Sequence, residues 1–537
     1  LNVEVVPMVQ EACQLFERVG YHDFGGIVLD DGEQERLCSS LGTDKHTLVL
    51  KNHGLITAGS SVAWAFIRHG VFIRNAEIQL RAMASGGSIS KISDDVIQRL
   101  SDITKITMTS YPSHVDTAAF LEYHSYVDSI FPLIDSLLKK TTVNQFSRIY
   151  KWQGRNPNLK PYLLMAHLDV VPVEKESQTL WTEPPFSGKI KDNFIWGRGT
   201  LDGKVSAMGI LETAEILLKE NYEPQRTIYF AFGHDEEVGG KNGAQAIVEY
   251  FLQKKITFEY LLDEGSLILE NALPGLTRPL ALIGTAEKGY CTLNLAVNLE
   301  HGGHSSMPPP ETAIGILSHA LATLEDHPFP AAISQNAQEL FDHIGPEMSL
   351  PNKAIFANLW LFKGVLKSQF EKSAASNAMI RTTIAPTMLE GGVNDNVLPT
   401  NVSATINFRI IPGQTSETII EYLNKTIDDE RVKVSRINAS FSSEPSKISS
   451  SSSFGFNALQ KTTKEIFPQS VVAPSLVITG TDSRFYEPVS ENIYRFMPVQ
   501  LTNDDLKRIH GIDERISIDS YKTMIMFYYQ LILNSSI

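Results

Sequence analysis

The sequence predicts an α/β fold built on a mostly parallel sheet, and three observations support this class. The apolar run from Leu163 to Ala166 is continuous rather than alternating, as in strands that are covered on both faces. Further apolar runs at 227–232 and 258–262 each end in an acidic cluster before the next element, which is the rhythm of βαβ units. A chain of 537 residues with 42% hydrophobic and 20% charged residues is also long enough for several ordinary globular domains.

Composition excludes several classes of function. The formal net charge of -14 argues against a nucleic-acid partner, which would favour a basic surface. The three cysteines, Cys13, Cys38 and Cys291, are too few and too widely spaced for a disulfide framework or a cysteine-based zinc site. No run approaches the ~18 apolar residues of a membrane span, and the first residues show no charged-then-apolar export signal.

Changes in pattern divide the chain into five stretches. A Gly-Gly-Ser sequence at 86–88 opens a polar linker, and the strand at 290–298 alternates instead of running continuously apolar. We expect a small α+β layer inserted in the larger α/β domain. The predicted boundaries are 1–85 for a first unit, 86–95 for the linker, 96–286 and 442–537 for the main domain, and 287–441 for the insertion.

The first stretch resembles the C-terminal half of a class II aldolase/adducin domain, on the motifs Tyr21-His-Asp-Phe, Lys51-Asn-His53-Gly-Leu-Ile-Thr and Ala76-Glu-Ile-Gln-Leu-Arg-Ala. In enzymes of that family the histidine matching His53 is one of three histidine zinc ligands. The other two come from an upstream His-x-His motif, which this sequence lacks. A catalytic zinc normally takes three protein ligands, so we expect His53 to be structural. The resemblance implies a partial α/β unit without lyase activity.

The main domain opens with a His-x-Asp motif at the end of the apolar run that begins at Leu163. His167 and Asp169 stand at the carboxyl end of that strand, where open α/β sheets place their ligand sites. Side chains two residues apart on a strand point the same way. The imidazole could therefore bind a metal while the carboxylate holds its other nitrogen. Taken alone, the motif is weak evidence and favours a structural hydrogen-bonded pair at a strand end.

Four further residues that could bind metal lie downstream, at comparable positions in turns and next to predicted elements. Asp202 lies in a glycine-rich turn, Glu237 and Asp263 follow apolar strands, and His510 comes before the last helix. Together with His167 they offer two imidazoles and three carboxylates, which suit two zinc ions if one carboxylate bridges. A single acid of this kind is usually a surface charge, but several at strand ends favour a metal centre.

Residues 96–535 resemble the aminoacylase/carboxypeptidase S family of di-zinc metallopeptidases, and within it the members that act on N-fatty-acyl amino acids. The motifs are long and specific. They are Met165-Ala-His-Leu-Asp-Val-Val-Pro, Pro184-Pro-Phe-Ser-Gly, Gly197-Arg-Gly-Thr-Leu-Asp, Gly233-His-Asp-Glu-Glu, Asp263-Glu-Gly-Ser, Gly303-His-Ser-Ser, Thr481-Asp-Ser-Arg and His510-Gly-Ile. The fold that this resemblance implies is an α/β zinc-peptidase domain with an inserted α+β lid and dimerisation domain.

The resemblance also implies the metal ligands. Asp202 would bridge two zinc ions, His167 and Asp263 would complete one site, and Glu237 and His510 the other.

Three further residues receive catalytic roles from the same resemblance. Glu236 would be the general base and acid, Asp169 would orient His167, and His304 of the inserted domain would stabilise the oxyanion. In many relatives that histidine comes from a second subunit, which implies a homodimer formed through the inserted domain. By itself His304 could also be a polar residue of a glycine-rich turn.

Asn396, Arg409 and Arg484 match positions that help to hold substrate, although both arginines could instead form structural ion pairs. One departure is Gly203, because relatives usually carry a larger polar residue after the bridging aspartate.

The implied reaction is hydrolysis of the amide bond of N-acyl, and in particular N-fatty-acyl, amino acids, together with the reverse condensation. A carboxypeptidase or dipeptidase of the same family is the first alternative, and a non-catalytic adducin-like scaffold is the second. The expected partners are small molecules, either N-acyl amino acids or short peptides. Relatives suggest a secreted or vacuolar location, although no signal peptide is visible. The aldolase-like stretch is either a true fusion or a product of two neighbouring genes joined in one gene model.

Overall fold

The computed structural model describes residues 18–22, 32–51, 54–84, 93–273, 275–437 and 442–536. The chain forms two compact units, residues 1–93 and 94–537. His53 lies outside the described residues.

Among its described residues, the first unit has a small three-stranded sheet and two helices. Its elements are β1 (Val19–His22), α1 (Glu33–Leu41), β2 (Thr47–Leu50), β3 (Gly54–Thr57) and α2 (Val62–Ala84). Strands β1 and β2 pair in parallel, and β2 and β3 pair antiparallel. The core centres on Phe72, while Val62, Trp64 and Phe66 of α2 are exposed.

The second unit begins with the elements of its main sheet. They are α3 (Asp95–Lys105), β4 (Ser110–Tyr111), β5 (His114–Val115), α4 (Thr117–Ile130), α5 (Pro132–Leu137), β6 (Lys139–Val143), β7 (Ser147–Trp152), β8 (Tyr162–His167), β9 (Lys189–Lys191), β10 (Phe194–Trp196), α6 (Lys204–Lys219), β11 (Ile228–Gly233), α7 (Ala244–Gln253), β12 (Leu261–Asp263), β13 (Ile268–Leu269) and β14 (Leu280–Glu287).

An inserted segment follows. Its elements are β15 (Gly289–Asn298), β16 (Gly303–His304), α8 (Ala313–Asp326), α9 (Gln335–Ile344), α10 (Leu350–Ala357), α11 (Leu359–Phe370), α12 (Ala374–Ile380), β17 (Thr383–Gly391), β18 (Val397–Leu398), β19 (Asn401–Ile410), α13 (Ser416–Ile427) and β20 (Val432–Arg436).

The chain then returns to the main sheet with its last elements. They are α14 (Phe454–Ile466), β21 (Val471–Val477), β22 (Ile493–Arg495), β23 (Gln500–Leu501), α15 (Asn503–Leu506), β24 (Arg515–Ser517) and α16 (Ile518–Ser535). Helix α14 is capped by Ser453, whose Oγ accepts a hydrogen bond from the backbone N–H of Phe456 at 3.1 Å.

The ten-stranded main sheet has a parallel centre, as its continuous apolar runs predict. Strands β22, β12, β8 and β11 lie side by side in that order and are parallel. All six residues of β8 and of β11 are buried. Strands β7 and β6 continue the sheet antiparallel beyond β11. The carboxyl ends of β8, β11 and β12 therefore meet at one edge, and His167 is in register with Gly233.

The inserted segment builds a four-stranded antiparallel sheet, in the order β17-β19-β15-β20, with α8 and α13 against it. Its core alternates along β15, where Leu293, Leu295 and Val297 are buried. We call this sheet with its two helices the inserted lobe.

Helices α9 to α12 do not join the inserted lobe, although they belong to the same predicted stretch. Leu340 and Ile344 of α9 share a core with Leu280 of β14 and Ala473 of β21, both in the main sheet. The apolar sides of these helices pack against the main sheet. The sequence pattern at 287–441 had instead predicted that the whole stretch belongs to the insertion. Within the described residues, no helix is both long enough and apolar enough to cross a membrane.

Candidate metal centre and active site

The carboxyl ends of the parallel strands bring His167 to the centre of a polar cluster. Its Nδ1 lies 2.9 Å from the backbone oxygen of Asp169, which can only accept a hydrogen bond, so Nδ1 carries the proton. Nε2 points the other way, 3.0 Å from an oxygen of Asp202 and 3.0 Å from an oxygen of Glu264. In a neutral ring this tautomer leaves the Nε2 lone pair free for a metal.

Asp202 lies between two imidazoles. One of its oxygens is 3.0 Å from His167 Nε2 and the other is 2.9 Å from His510 Nε2. Burial raises the pKa of Asp202, but the hydrogen bonds from both histidines outweigh burial and hold the pKa well below its usual range. A carboxylate with each oxygen facing a different imidazole has the arrangement that a bridging metal ligand needs.

Glu237 completes the second side of the cluster. Its Oε1 lies 3.3 Å from His510 Nε2, and among the described residues this buried oxygen has no hydrogen-bond partner. A buried carboxylate oxygen without a donor is costly unless a cation is bound to it. The nearby carboxylates of Asp202 and Glu237 raise the pKa of His510 to about 10.

The donor set fits two metal ions. His167, Asp202 and Glu264 form one group and Asp202, Glu237 and His510 form another, and in each group the ligand atoms lie within 4.8 Å of one another. Imidazole and carboxylate are ligands of zinc and related divalent ions. Three carboxylates in one buried cluster also repel one another unless cations neutralise them.

The structure differs from the sequence prediction at one ligand. Glu264, not Asp263, faces His167. Asp263 is the last residue of β12, and its carboxylate instead accepts a hydrogen bond from the backbone N–H of Ser483 at 2.9 Å. Glu264 is the first residue after β12, and it is the acid that contacts His167. Burial raises the pKa of Asp263 to about 6 and that of Glu264 to about 7.

Asp169 holds the acidic turn after β11. Its two oxygens accept hydrogen bonds from the backbone N–H groups of Glu236 and Glu237, each at 3.1 Å. Burial raises the pKa of Asp169, but the interaction with His167 outweighs burial and lowers the pKa below its usual value, so the carboxylate stays ionised. Asp169 thus fixes His167 and both glutamates at once.

Glu236 is buried beside the cluster without belonging to either ligand group. Burial raises its pKa well above the usual range, and the nearby carboxylates of Asp482 and Glu237 act in the same direction. The guanidinium of Arg484 is 3.9 Å from its Oε1. A carboxylate with a raised pKa close to a metal centre is suited to proton transfer near neutral pH.

Comparison with protein families agrees with this geometry. Residues 163–534 match the model of "Peptidase family M20/M25/M40", which covers more than half of the chain. The chain belongs to the M20 peptidase family. Members of this family are metal-dependent hydrolases, typically with two metal ions. Residues 2–80 match "Class II Aldolase and Adducin N-terminal domain", which agrees with the resemblance found in the first stretch.

Individual M20 relatives are similar over most of their length. The chain is 44% identical to "Probable carboxypeptidase S-like 2" of Dictyostelium discoideum, over 83% of this chain and 86% of the relative. It is 41% identical to "N-fatty-acyl-amino acid synthase/hydrolase PM20D1" of Xenopus tropicalis, over 82% and 86%. The M20 metallo-carboxypeptidase Sso-CP2 of Sulfolobus solfataricus has the same fold, with a TM-score of 0.62 at 16% identity, over 83% of this chain and all of that one.

The M20 domain contains one buried residue that sequence reasoning missed. The Oε1 atom of Glu514 accepts hydrogen bonds from the backbone N–H groups of Gly199, at 2.9 Å, and Leu201, at 2.8 Å. Its Oε2 pairs with Arg198, whose other nitrogen donates to the backbone oxygen of His510 at 3.0 Å. Glu514 thereby holds both the turn that carries Asp202 and the loop that carries His510. The feature of the sequence that could have indicated a role for Glu514 is its position close to His510 in the chain.

The predicted substrate residues of the M20 chain fall into two places. His304 and Asn396 lie together in the inserted segment, where the backbone oxygen of Asn396 accepts a hydrogen bond from Ser305. Nδ1 of His304 accepts a hydrogen bond from the Ser306 N–H at 3.1 Å, which leaves the proton of a neutral ring on Nε2.

The two predicted arginines differ in surroundings. Arg409, on β19, stacks on Tyr290 with its guanidinium carbon 4.6 Å from the ring centre. Arg484 lies beside Glu236 and donates to the backbone oxygen of Thr481 at 2.6 Å.

Proposed function

We propose that this chain hydrolyses the amide bond of N-acyl amino acids, in particular those with a fatty acyl chain, and catalyses the reverse condensation at the same site. The observation that carries the proposal is Asp202 between His167 and His510, with Glu236 adjacent. That arrangement supports a bridged pair of metal ions with a proton-transfer group next to it.

The proposed ligands are Asp202 as the bridge, His167 and Glu264 for one ion, and Glu237 and His510 for the other, with zinc as the proposed metal. Such ions, when bound, supply Lewis acidity that activates water and polarises the scissile carbonyl. The role of this chain is to hold them. Asp169 and Glu514 keep the ligand-bearing turns in place through backbone hydrogen bonds.

Glu236 is the proposed general base and then general acid. It takes a proton from the attacking water and returns that proton to the amine nitrogen as the carbon–nitrogen bond breaks. In the condensation direction the same carboxylate takes a proton from the attacking amine. The raised pKa of Glu236, which burial causes, supports this role because a carboxylate with a raised pKa is a stronger base.

His304 is proposed to stabilise the developing oxyanion by donating a hydrogen bond from Nε2. The contact between its Nδ1 and Ser306 supports the required tautomer. Asn396, Arg409 and Arg484 are proposed to bind the polar end of the substrate, where a guanidinium suits a free carboxylate. Burial lowers the pKa of Arg409, and a partly desolvated cation of this kind is favoured by an anionic ligand.

The choice of substrate is supported by the relatives. Several are named N-fatty-acyl-amino acid synthase/hydrolase, and their identities to this chain reach 41%. The carboxypeptidase S-like relative, at 44%, favours a carboxypeptidase or dipeptidase as the second candidate. A non-catalytic scaffold would need no intact metal cluster, so the presence of both ligand groups argues against it.

We also propose a homodimer formed through the inserted lobe. Met388 and Leu389 of β17 are exposed at the edge of its sheet, where unpaired strands favour association. Light scattering of the purified chain tests this, and a monomer at all concentrations would contradict it.

The deciding experiment is hydrolysis of N-oleoyl-phenylalanine by the zinc-loaded chain, compared with Glu236→Gln. We expect turnover in the parent and a loss of about 10²–10⁴-fold in the variant, with metal content unchanged. Glu249→Gln, on the exposed surface, is the matched control and should retain full activity. Cleavage of dipeptides without cleavage of N-oleoyl-phenylalanine would select the second candidate. No turnover on either class would contradict both.

A further inference from the structure

Helices α10 and α11 are held to the main domain by one apolar side. Leu366 and Phe370 of α11 are buried in the core that also contains Phe341 and Ile344 of α9. The rings of Phe341 and Phe370 are 5.1 Å apart and meet edge to face. This side satisfies the usual requirement that a surface helix bury one apolar stripe.

The opposite side of the same helices is also apolar, but it lies in water. Trp360 and Leu350 are each 82% exposed, and Leu361 and Val365 are exposed as well. An amphipathic surface helix would carry polar residues at these positions. We call the exposed side chains of Leu350, Trp360, Leu361 and Val365 the Trp360 face. A cluster of this kind on a globular protein usually marks an interaction surface.

Charge identifies the kind of partner. Residues 349–370 contain three lysines, Lys353, Lys363 and Lys367, and no acidic residue, in a chain whose net charge is -14. Lys353 and Lys363 are exposed, and none of the three lysines forms an ion pair with a residue that the structure describes. Helices α10 and α11 therefore carry exposed apolar side chains and lysines on a protein whose net charge is negative. Two copies of a positive face repel each other, which disfavours self-association there.

We propose that the Trp360 face docks on the surface of anionic phospholipid, with Trp360 and Leu361 among the acyl chains and the lysines at the headgroups. Tryptophan is favoured at the boundary between lipid and water, and lysine stems extend along apolar surface to reach phosphates. Apolar burial and attraction to anionic lipid together make such binding reversible and sensitive to salt. This inference goes beyond the proposed function and does not depend on it.

Co-sedimentation of the full chain with lipid vesicles tests the inference. We expect binding to phosphatidylcholine vesicles that contain about 30% phosphatidylserine, and much weaker binding to phosphatidylcholine alone. The double variant Trp360→Ser/Leu361→Ser should bind at least about tenfold more weakly. Lys363→Glu/Lys367→Glu should lose the preference for phosphatidylserine, and added salt should weaken binding of the parent chain.

Val393→Ser is the matched control, because Val393 is 90% exposed but lies outside the Trp360 face. It should bind vesicles like the parent. Equal binding by all variants, or no binding by the parent, would overturn the inference. So would a change from dimer to monomer in Trp360→Ser/Leu361→Ser without a change in vesicle binding, since a second copy would then cover the face. Turnover of N-acetyl-phenylalanine, measured in parallel, separates this outcome from failure of the proposed function.

Discussion

Gly203 lies directly against the imidazole of His167. A side-chain carbon added at Gly203 would be 2.5 Å from Cε1 and 2.7 Å from Nδ1 of that ring. The backbone of Gly203 also has a φ of +84°, which glycine adopts most easily. The absence of a side chain at this position therefore leaves room for the observed orientation of the His167 ring, and the local backbone suits glycine.

Gly203→Ala should displace the His167 ring and weaken metal binding by about tenfold or more, because small shifts of ligands reduce affinity strongly. Competition with a fluorescent zinc chelator measures the affinity. Gly413→Ala is the control, since Gly413 has a φ of +95° with no atom within 4 Å of an added carbon. That variant introduces the backbone strain without the contact, so it should lose stability by about 1 kcal/mol and keep its metal. Equal metal loss in both variants would contradict the steric explanation.

Glu264→Ala should lose one metal ion per chain and about 10³-fold or more in activity, because its carboxylate faces Nε2 of His167. Asp263→Asn should keep about two ions, since Asp263 accepts a hydrogen bond from Ser483 instead. Elemental analysis of the dialysed proteins gives the stoichiometry. Loss of metal in Asp263→Asn but not in Glu264→Ala would restore the ligand that the sequence predicted.

The contrast between these two acids shows how far sequence reasoning reaches. Continuous apolar runs predicted the parallel centre of the sheet, because only strands covered on both faces have that pattern. The same logic predicted that His167 ends a strand and that Glu237 follows one, and the structure has them at the end of β8 and in the turn after β11, while their roles as metal ligands stay predictions. The apolar pattern named Asp263 and could not show that Glu264 contacts His167. The residue at which a strand ends depends on where its last backbone hydrogen bond forms, and the sequence pattern does not show this.

Residues that hold distant parts of the backbone by hydrogen bonds could not be predicted from the sequence for a similar reason. Glu514 binds N–H groups more than three hundred positions away in the chain, and no local pattern encodes such a contact. Helices α10 and α11 were missed because they are apolar on two sides, so their amphipathic period is weak. The packing of α9 on the main sheet likewise depends on tertiary contacts with β21.

Glu514→Gln should lower metal affinity and kcat while leaving KM nearly unchanged. One oxygen of Glu514 accepts hydrogen bonds from backbone N–H groups, and the other accepts from Arg198. Glutamine has only one acceptor oxygen, because its NH₂ group donates. It cannot keep both sets of hydrogen bonds, so the turn that carries Asp202 should loosen. Titration with zinc and steady-state kinetics measure the two effects. Glu212→Gln is the control, because Glu212 is equally buried and pairs with Arg99 away from the cluster. Breaking either pair should cost about 3–5 kcal/mol of stability.

Only Glu514→Gln should change the metal affinity. If Glu212→Gln weakened zinc binding as much, general destabilisation would explain both results, and the positioning role of Glu514 would be wrong. Retention of full zinc affinity in Glu514→Gln would contradict the role equally well.

The buried imidazole of His124 should make the second unit less stable in mild acid. Burial lowers the pKa of His124 to about 4, and the nearby guanidinium of Arg148 acts in the same direction. Above the ordinary value of 6.5 the ring is neutral in both states, and its Nε2 lies 2.9 Å from the backbone oxygen of Phe146. Between pH 6.5 and pH 4 the unfolded chain binds a proton that the folded chain does not. The free energy of unfolding should therefore fall as the pH falls through this window, by at most about 3 kcal/mol.

Urea unfolding of the parent and of His124→Gln at several pH values between 4 and 7 measures this effect. Glutamine can keep a donor for Phe146 but has no titrating group, so the variant should have a flatter dependence on pH in this window. His319→Gln, on the exposed surface of α8, is the control and should follow the parent. If His124→Gln and the parent lose the same free energy between pH 6.5 and pH 4, the imidazole titrates normally in the folded chain and the explanation fails.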